Sequence, residues 1–141
     1  MTAIVLFLLT WFGLGPQSPA ASTPPARAAL DFDVFKTRVQ PIFLHKRQGL
    51  ARCYVCHSQG TPFRLQPLSP GATTWTDEES RRNFEAASRL VNPANPTATL
   101  LLRMPLAAEA GGMAFHPGGK HWTSTDDPEY QAIAARVRGG K

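Results

Sequence analysis

Cysteine is scarce in this chain: 141 residues contain only two, Cys53 and Cys56, so any covalent framework that needs several disulfides is excluded. Aromatic residues are also few, at 9%, and no run of alternating apolar and polar residues marks a β-strand. The +5 formal charge is not gathered into a basic stripe. Lys46-Arg47, Arg81-Arg82 and the Arg136/Arg138 pair are isolated and interleaved with acids, which excludes the electrostatic footprint of a nucleic-acid-binding domain. No internal repeat is present. The length suits one domain with a modest core, and 13 prolines with 11 glycines leave much of that domain as loop.

Lys and Arg are likewise missing ahead of the first apolar run, MTAIVLFLLTWFGLG. That run is shorter than the about 20 residues a membrane-spanning helix needs. It precedes small residues and prolines, with Ser18-Pro19-Ala20 and Ala26-Arg27-Ala28 as small-x-small sites. The pattern predicts a signal peptide over 1–20, a Pro/Ala-rich linker over 21–30 and a single domain over 31–141. The domain is expected to be exported, periplasmic or equivalent, and membrane-associated if the leader is retained.

Four helical segments follow from periodicity and end signals. Asp31 to Phe43 places Phe32, Phe35, Val39 and Ile42 on one face, with Pro41 expected to bend or end the helix. Thr76 and Glu79 form a capping box for a helix that aligns Phe84, Ala87 and Leu90/Val91. Asn95-Pro96 opens a short helix through TATLLLRM. Asp127-Pro128 starts the last helix, with Tyr130, Ile133 and Val137 buried and Gly139-Gly140 as its stop. The segments between these helices, SQGTPFRLQPLSPGATTW and PLAAEAGGMAFHPGGKHWTST, are long for connectors and are expected to wrap around something.

The two cysteines lie in CYVCH, residues 53–57. A Cys53–Cys56 disulfide would close too small a loop to stabilise the fold. A thioredoxin-like pair belongs at the end of a strand in a βαβ unit, and none is in view. Zinc needs four ligands, so it would draw on His45, His57, His116 and His121 at spacings unlike those of a zinc finger. Covalent haem accounts for all three outer letters of the motif: each thiol adds to one vinyl group, and His57 is delivered beneath the iron as a ligand.

With VQPIF ahead of CYVCH, then NPANPTATLLLRM, then HPGGK and a terminal helix, residues 31 to 139 resemble monohaem c-type cytochromes of class I order, and more narrowly the planctomycete-type cytochrome c domains. The resemblance implies an all-α, class I-like cytochrome c fold with long loops around one haem c, attached through Cys53 and Cys56. It also implies electron transport rather than substrate turnover. Where those domains carry a distal ligand before PGGK, this chain reads MAFHPGGKHW, which puts His116 in that role beside Phe115, with Met104, Met113 and His121 as alternatives.

A haem also needs an acceptor for the second ring nitrogen of His57, expected from the carbonyl of Pro67 or Pro70. Donors for its carboxylates are expected from Arg64, Lys120, Trp75 or Trp122. Its pocket walls are expected from Phe63, Leu100, Leu101, Leu102 and Phe115. The expected partner is a redox protein or membrane electron-transfer complex with an acidic docking face. The alternatives are a haem protein with an open distal site, acting as sensor or enzyme, and a small structural zinc module.

Overall fold

The computed structural model describes residues 31–139. The expected signal peptide and linker, 1–30, lie outside the described residues, as do Gly140 and Lys141. The architecture is helical, as expected: no β-strand or sheet occurs among the described residues, only an isolated parallel bridge between Leu106 and Trp122. No described helix is long and apolar enough to cross a membrane.

Helix α1 has three contiguous segments: an α turn Phe32–Val34, a π-helical stretch Phe35–Val39 and an α-helical end Gln40–Leu44. Asp31 caps it, its carboxylate accepting from the Val34 N–H at 3.0 Å. Pro41 does not end this helix. Its ring would crowd the carbonyl four residues back in a regular α-helix, and the wider π turn just before it supplies the missing room. The Gln40 N–H reaches back five residues to the Phe35 carbonyl, and the chain stays helical to Leu44. Phe35, Val39, Ile42 and Phe43 are thereby all buried.

Helix α2 is the single turn Cys53–His57, and α3 spans Asp77–Ser88. The α3 capping box is present: the Glu79 N–H donates to Thr76 Oγ1, and the Glu79 carboxylate accepts from the Thr76 N–H at 2.8 Å. Its buried face also carries polar residues. Gln40 Nε2 donates to Ser80 Oγ at 2.9 Å, and Asn83 Oδ1 accepts from the Gln66 N–H at 2.7 Å, which fixes the loop after the cysteine motif to α3.

The expected helix from Asn95 to Met104 is two pieces, a 3-10 turn Pro96–Ala98 and α4, Leu100–Arg103. Thr99 separates them because its backbone is extended, with ψ 121°, and its buried hydroxyl accepts from the Asn92 N–H at 3.1 Å. A further 3-10 turn, Ala108–Ala110, precedes the long loop to α5, Pro128–Val137. Asp127 caps α5 through the N–H groups of Glu129 and Tyr130. Tyr130, Ile133, Ala134 and Val137 are buried, and α5 packs on the π turn of α1. Burying side chains of this size is worth about 1.5–3 kcal/mol each, so this contact between the two ends of the domain is a main source of its stability.

The loop from α1 to α2 is tied to the start of α5. Arg47 donates to both oxygens of Asp127, each at 3.1 Å, and to Glu129 Oε2, while His45 Nδ1 meets the other Glu129 oxygen. These bonds fix the segment that leads into Cys53.

Candidate functional site

In one helical turn, positions i, i+3 and i+4 share a face, so CYVCH places Cys53, Cys56 and His57 together. All three line a cavity of about 490 Å³. Its other walls include Ile42 and Phe43 of α1, Leu100 and Leu101 of α4, and Phe63, Met104 and Trp122. The lining is overwhelmingly apolar, and against it the polar atoms of a few side chains stand out.

His57 is held by the loop that follows it. The Leu65 N–H returns to the His57 carbonyl at 2.9 Å, which brings the Phe63 carbonyl to 2.8 Å from His57 Nδ1. Thr61 Oγ1 lies 2.9 Å from the same nitrogen and itself donates to the Phe63 carbonyl. The acceptor is therefore Phe63 rather than Pro67 or Pro70, because the loop closes within eight residues and leaves both prolines downstream of the turn. Nδ1 is committed to the backbone, which leaves Nε2 as the free ring nitrogen. Burial pushes the His57 pKa down and the nearby His116 adds to this, against the opposing bond to Phe63.

His116 also lines the cavity, held by its own turn. In His116-Pro117-Gly118-Gly119 the Gly119 N–H donates to the His116 carbonyl at 2.9 Å, and His116 Nδ1 donates to the Gly119 carbonyl at 2.6 Å. The turn calls for glycine at 119 and leaves little room at 118. Gly119 has φ +82°, and a Cβ on Gly118 would stand 3.3 Å from His116 Cε1. The result mirrors His57: Nδ1 occupied by a backbone carbonyl, Nε2 free.

The His57 and His116 rings lie 6.2 Å apart between centres and only 19° from parallel. They are too far apart to touch. Two imidazole–metal bonds of about 2.0–2.1 Å, added to the distance from each nitrogen to its ring centre, span roughly 6 Å. The spacing of the two ring centres thus matches that of two imidazoles with one metal ion between them. His121 is a third cavity imidazole, with its ring centre 6.3 Å from that of His116 and tilted by 60°. Burial lowers its pKa as well.

Several expected site residues are placed elsewhere. Met113 is not among the cavity walls, whereas Met104 is. Phe115 is 74% exposed and Leu102 faces the core, so neither is a wall. Of the expected carboxylate donors, Arg64, Trp75 and Lys120 do not line the cavity. Trp75 Nε1 is spent on the Gln66 carbonyl at 2.8 Å, and Lys120 Nζ on the carbonyls of Met104 and Met113. Trp122 is a wall, but its Nε1 is sealed inside the protein without a partner. The cation at the cavity is Arg52, which periodicity could not single out because it precedes α2 in an irregular segment.

The thiol chemistry separates the competing readings. Burial pushes the Cys53 pKa up to about 11, the reverse of the depressed value that an active redox thiol requires. Zinc needs convergent ligands, and among the described residues no group of three or more His, Cys, Asp or Glu side chains is placed to hold a metal ion. The apolar cavity thus brings together two thiols on one helical turn and two imidazoles oriented by backbone carbonyls. No protein-family model, no curated protein and no solved structure matches the chain.

Proposed function

We propose that this chain is an exported monohaem c-type cytochrome that carries single electrons between redox partners and turns over no substrate. The observation that carries this reading is the pair His57 and His116, each fixed through Nδ1 to a backbone carbonyl, with ring centres 6.2 Å apart beside both thiols of CYVCH. The cavity fits the group by chemistry as well as by size. Its apolar walls suit a porphyrin face, and its two sulfurs suit thioether attachment.

In this reading Cys53 and Cys56 hold the haem covalently, and the Nε2 atoms of His57 and His116 ligate it. Bound there, haem supplies reversible exchange between ferric and ferrous iron. The protein's part is to orient and to exclude water. Phe63 and Gly119 fix the planes and tautomers of the two imidazoles. Ile42, Phe43, Leu101 and Trp122 keep water away, which lowers the reorganisation of solvent on electron transfer. The partner is proposed to be a redox protein or membrane complex with an acidic face, because the chain carries a +5 formal charge.

The test is the absorption spectrum of the protein made in a host that attaches c-type haem, recorded oxidised and reduced. The expected result is covalent haem with sharp low-spin reduced bands and no near-infrared band of methionine ligation. His116→Ala in a His121→Ala background, where the neighbouring imidazole cannot substitute, is expected to convert the ferric iron to high spin with the haem still attached. Protein that remains colourless after denaturation and extraction overturns the proposal, and a methionine-ligation band moves the second ligand to Met104.

A further inference from the structure

The two imidazoles are held to very different degrees. His57 sits on a helical turn whose following loop is closed at Leu65, while His116 rides near the tip of a long excursion between α4 and α5. The neck of that excursion is well tied: the N–H groups of His121 and Trp122 reach the Pro105 carbonyl at 2.7 and 3.2 Å, and the Ala107 N–H reaches the Trp122 carbonyl at 2.8 Å. Its outward limb is tied by the Met113 N–H to the Arg103 carbonyl at 2.8 Å. The segment 114–119 has no backbone hydrogen bond of this kind to the body of the domain, only the internal turn from His116 to Gly119.

Lys120 ties together the two ends of that segment. Its ammonium group is half-buried and donates to the Met104 carbonyl at 3.1 Å, at the base of the loop, and to the Met113 carbonyl on the outward limb. One side chain therefore joins the end of α4, the outward limb and the returning limb, with His116 enclosed between the last two. An ammonium donor makes hydrogen bonds stronger than neutral ones, and here it meets two backbone carbonyls.

Resting on the haem reading of the cavity, we infer that Lys120 is a positioning residue: a clamp that keeps His116 ligated and so controls how readily outside ligands reach the iron. Two of the lysine's three donors are committed to these carbonyls. Its product is a low rate of His116 release. The nearby His121 gives this clamp a second consequence, because a released His116 leaves another imidazole beside the same cavity.

The test is stopped-flow mixing of ferric haem-loaded protein with cyanide, which binds only after the protein ligand leaves. Lys120→Met is placed in a His121→Ala background so that the neighbouring imidazole cannot substitute, and is compared with His121→Ala alone. Losing two charge-assisted hydrogen bonds is expected to speed cyanide binding at least tenfold, and Lys120→Arg, which keeps cationic donors, is expected to recover part of the slow rate. A merely structural role would lower the melting temperature and leave the cyanide rate alone. Rates within twofold of the His121→Ala control overturn the clamp. Should Lys120→Met not accumulate, Lys120→Gln, which cannot supply a cation, is measured in the same way against the same thresholds. The two proposals fail separately: absence of covalent haem removes the reading of the cavity, whereas low-spin haem that depends on His116 but is indifferent to Lys120 removes only the clamp.

Discussion

Arg47→Met tests how the segment leading to the cysteine motif is held. Four N–H···O contacts are lost, two to Asp127 at 3.1 Å and two to Glu129 Oε2 at 3.1 and 2.5 Å, from side chains only about one-fifth exposed. A hydrogen bond to a charged group contributes about 1.5–3 kcal/mol, but these carboxylates keep the N–H groups of α5, the His45 contact and some water. The net loss is therefore expected to be about 2–3 kcal/mol, or roughly 10 °C in melting temperature for a domain of this size. Burial alone would raise the Asp127 pKa, yet Arg47 and the Glu129 N–H outweigh it and hold the carboxyl below the ordinary aspartate range. A depressed folded value gives stability that is full above the unfolded pKa and is lost as pH falls through the folded one. The gap between native and Arg47→Met proteins in urea melts, followed by circular dichroism, is thus expected to be constant from pH 7 to about 5 and to shrink below about 4. A loss under about 0.5 kcal/mol at pH 7, the range of an uncoupled surface change, or a gap unaltered down to pH 3, refutes the reasoning.

Three other perturbations probe the site and its supports. Gly112→Ala would set a Cβ 2.0 Å from the Leu106 carbonyl oxygen, so soluble yield and urea midpoint are expected to fall sharply, whereas Gly118→Ala should fold and instead alter the electron paramagnetic resonance of the ferric haem by displacing the His116 ring. Asn83→Ala removes the buried acceptor of the Gln66 N–H and is expected to cost about 1–3 kcal/mol in urea unfolding, since that donor is left unpaired. In protein made without haem attachment, iodoacetamide at pH 8 is expected to modify the exposed Cys56 well before Cys53, whose rate should keep rising toward pH 11; equal rates at pH 8, read by mass spectrometry, would contradict the burial of that thiol.

The features legible in the sequence are those written in adjacent letters. The thiols and imidazole of CYVCH, the capping box at Thr76 and the Asp127-Pro128 helix start each depend on contacts within a few residues, and each is found where the pattern puts it. His116 was singled out only through the resemblance at HPGGK, and the structure places it in a self-contained turn beside the cavity. The misplacements share a different cause. Which carbonyl meets His57, which aromatic lines the cavity and what Lys120 bonds are decided by where a loop returns, and no period encodes that. Phe115 shows the point best: beside His116 in sequence, it is directed outward by the same tight turn that brings the imidazole in. Pro41 shows the complementary case, where a strong local rule yields to a π turn because Phe35, Val39, Ile42 and Phe43 all gain burial from a continuous helix.

The supports of the two imidazoles also differ in what can disturb them. Phe63 and Leu65 hold His57 through a loop anchored on α3 by Asn83 and Gln66, so the position of that imidazole is tied to the core. His116 is oriented by its own turn but located by contacts outside it, chiefly Lys120 and the bonds at Pro105. Orientation and location are thus separate tasks for His116 and a single task for His57. A fluctuation that opens the 114–119 tip can withdraw His116 with its ring still correctly turned, ready to return, whereas withdrawing His57 would require unseating the loop from α3 and breaking the core around Phe43 and Leu65. Local opening is therefore cheapest at the 114–119 segment, which also carries the exposed Phe115.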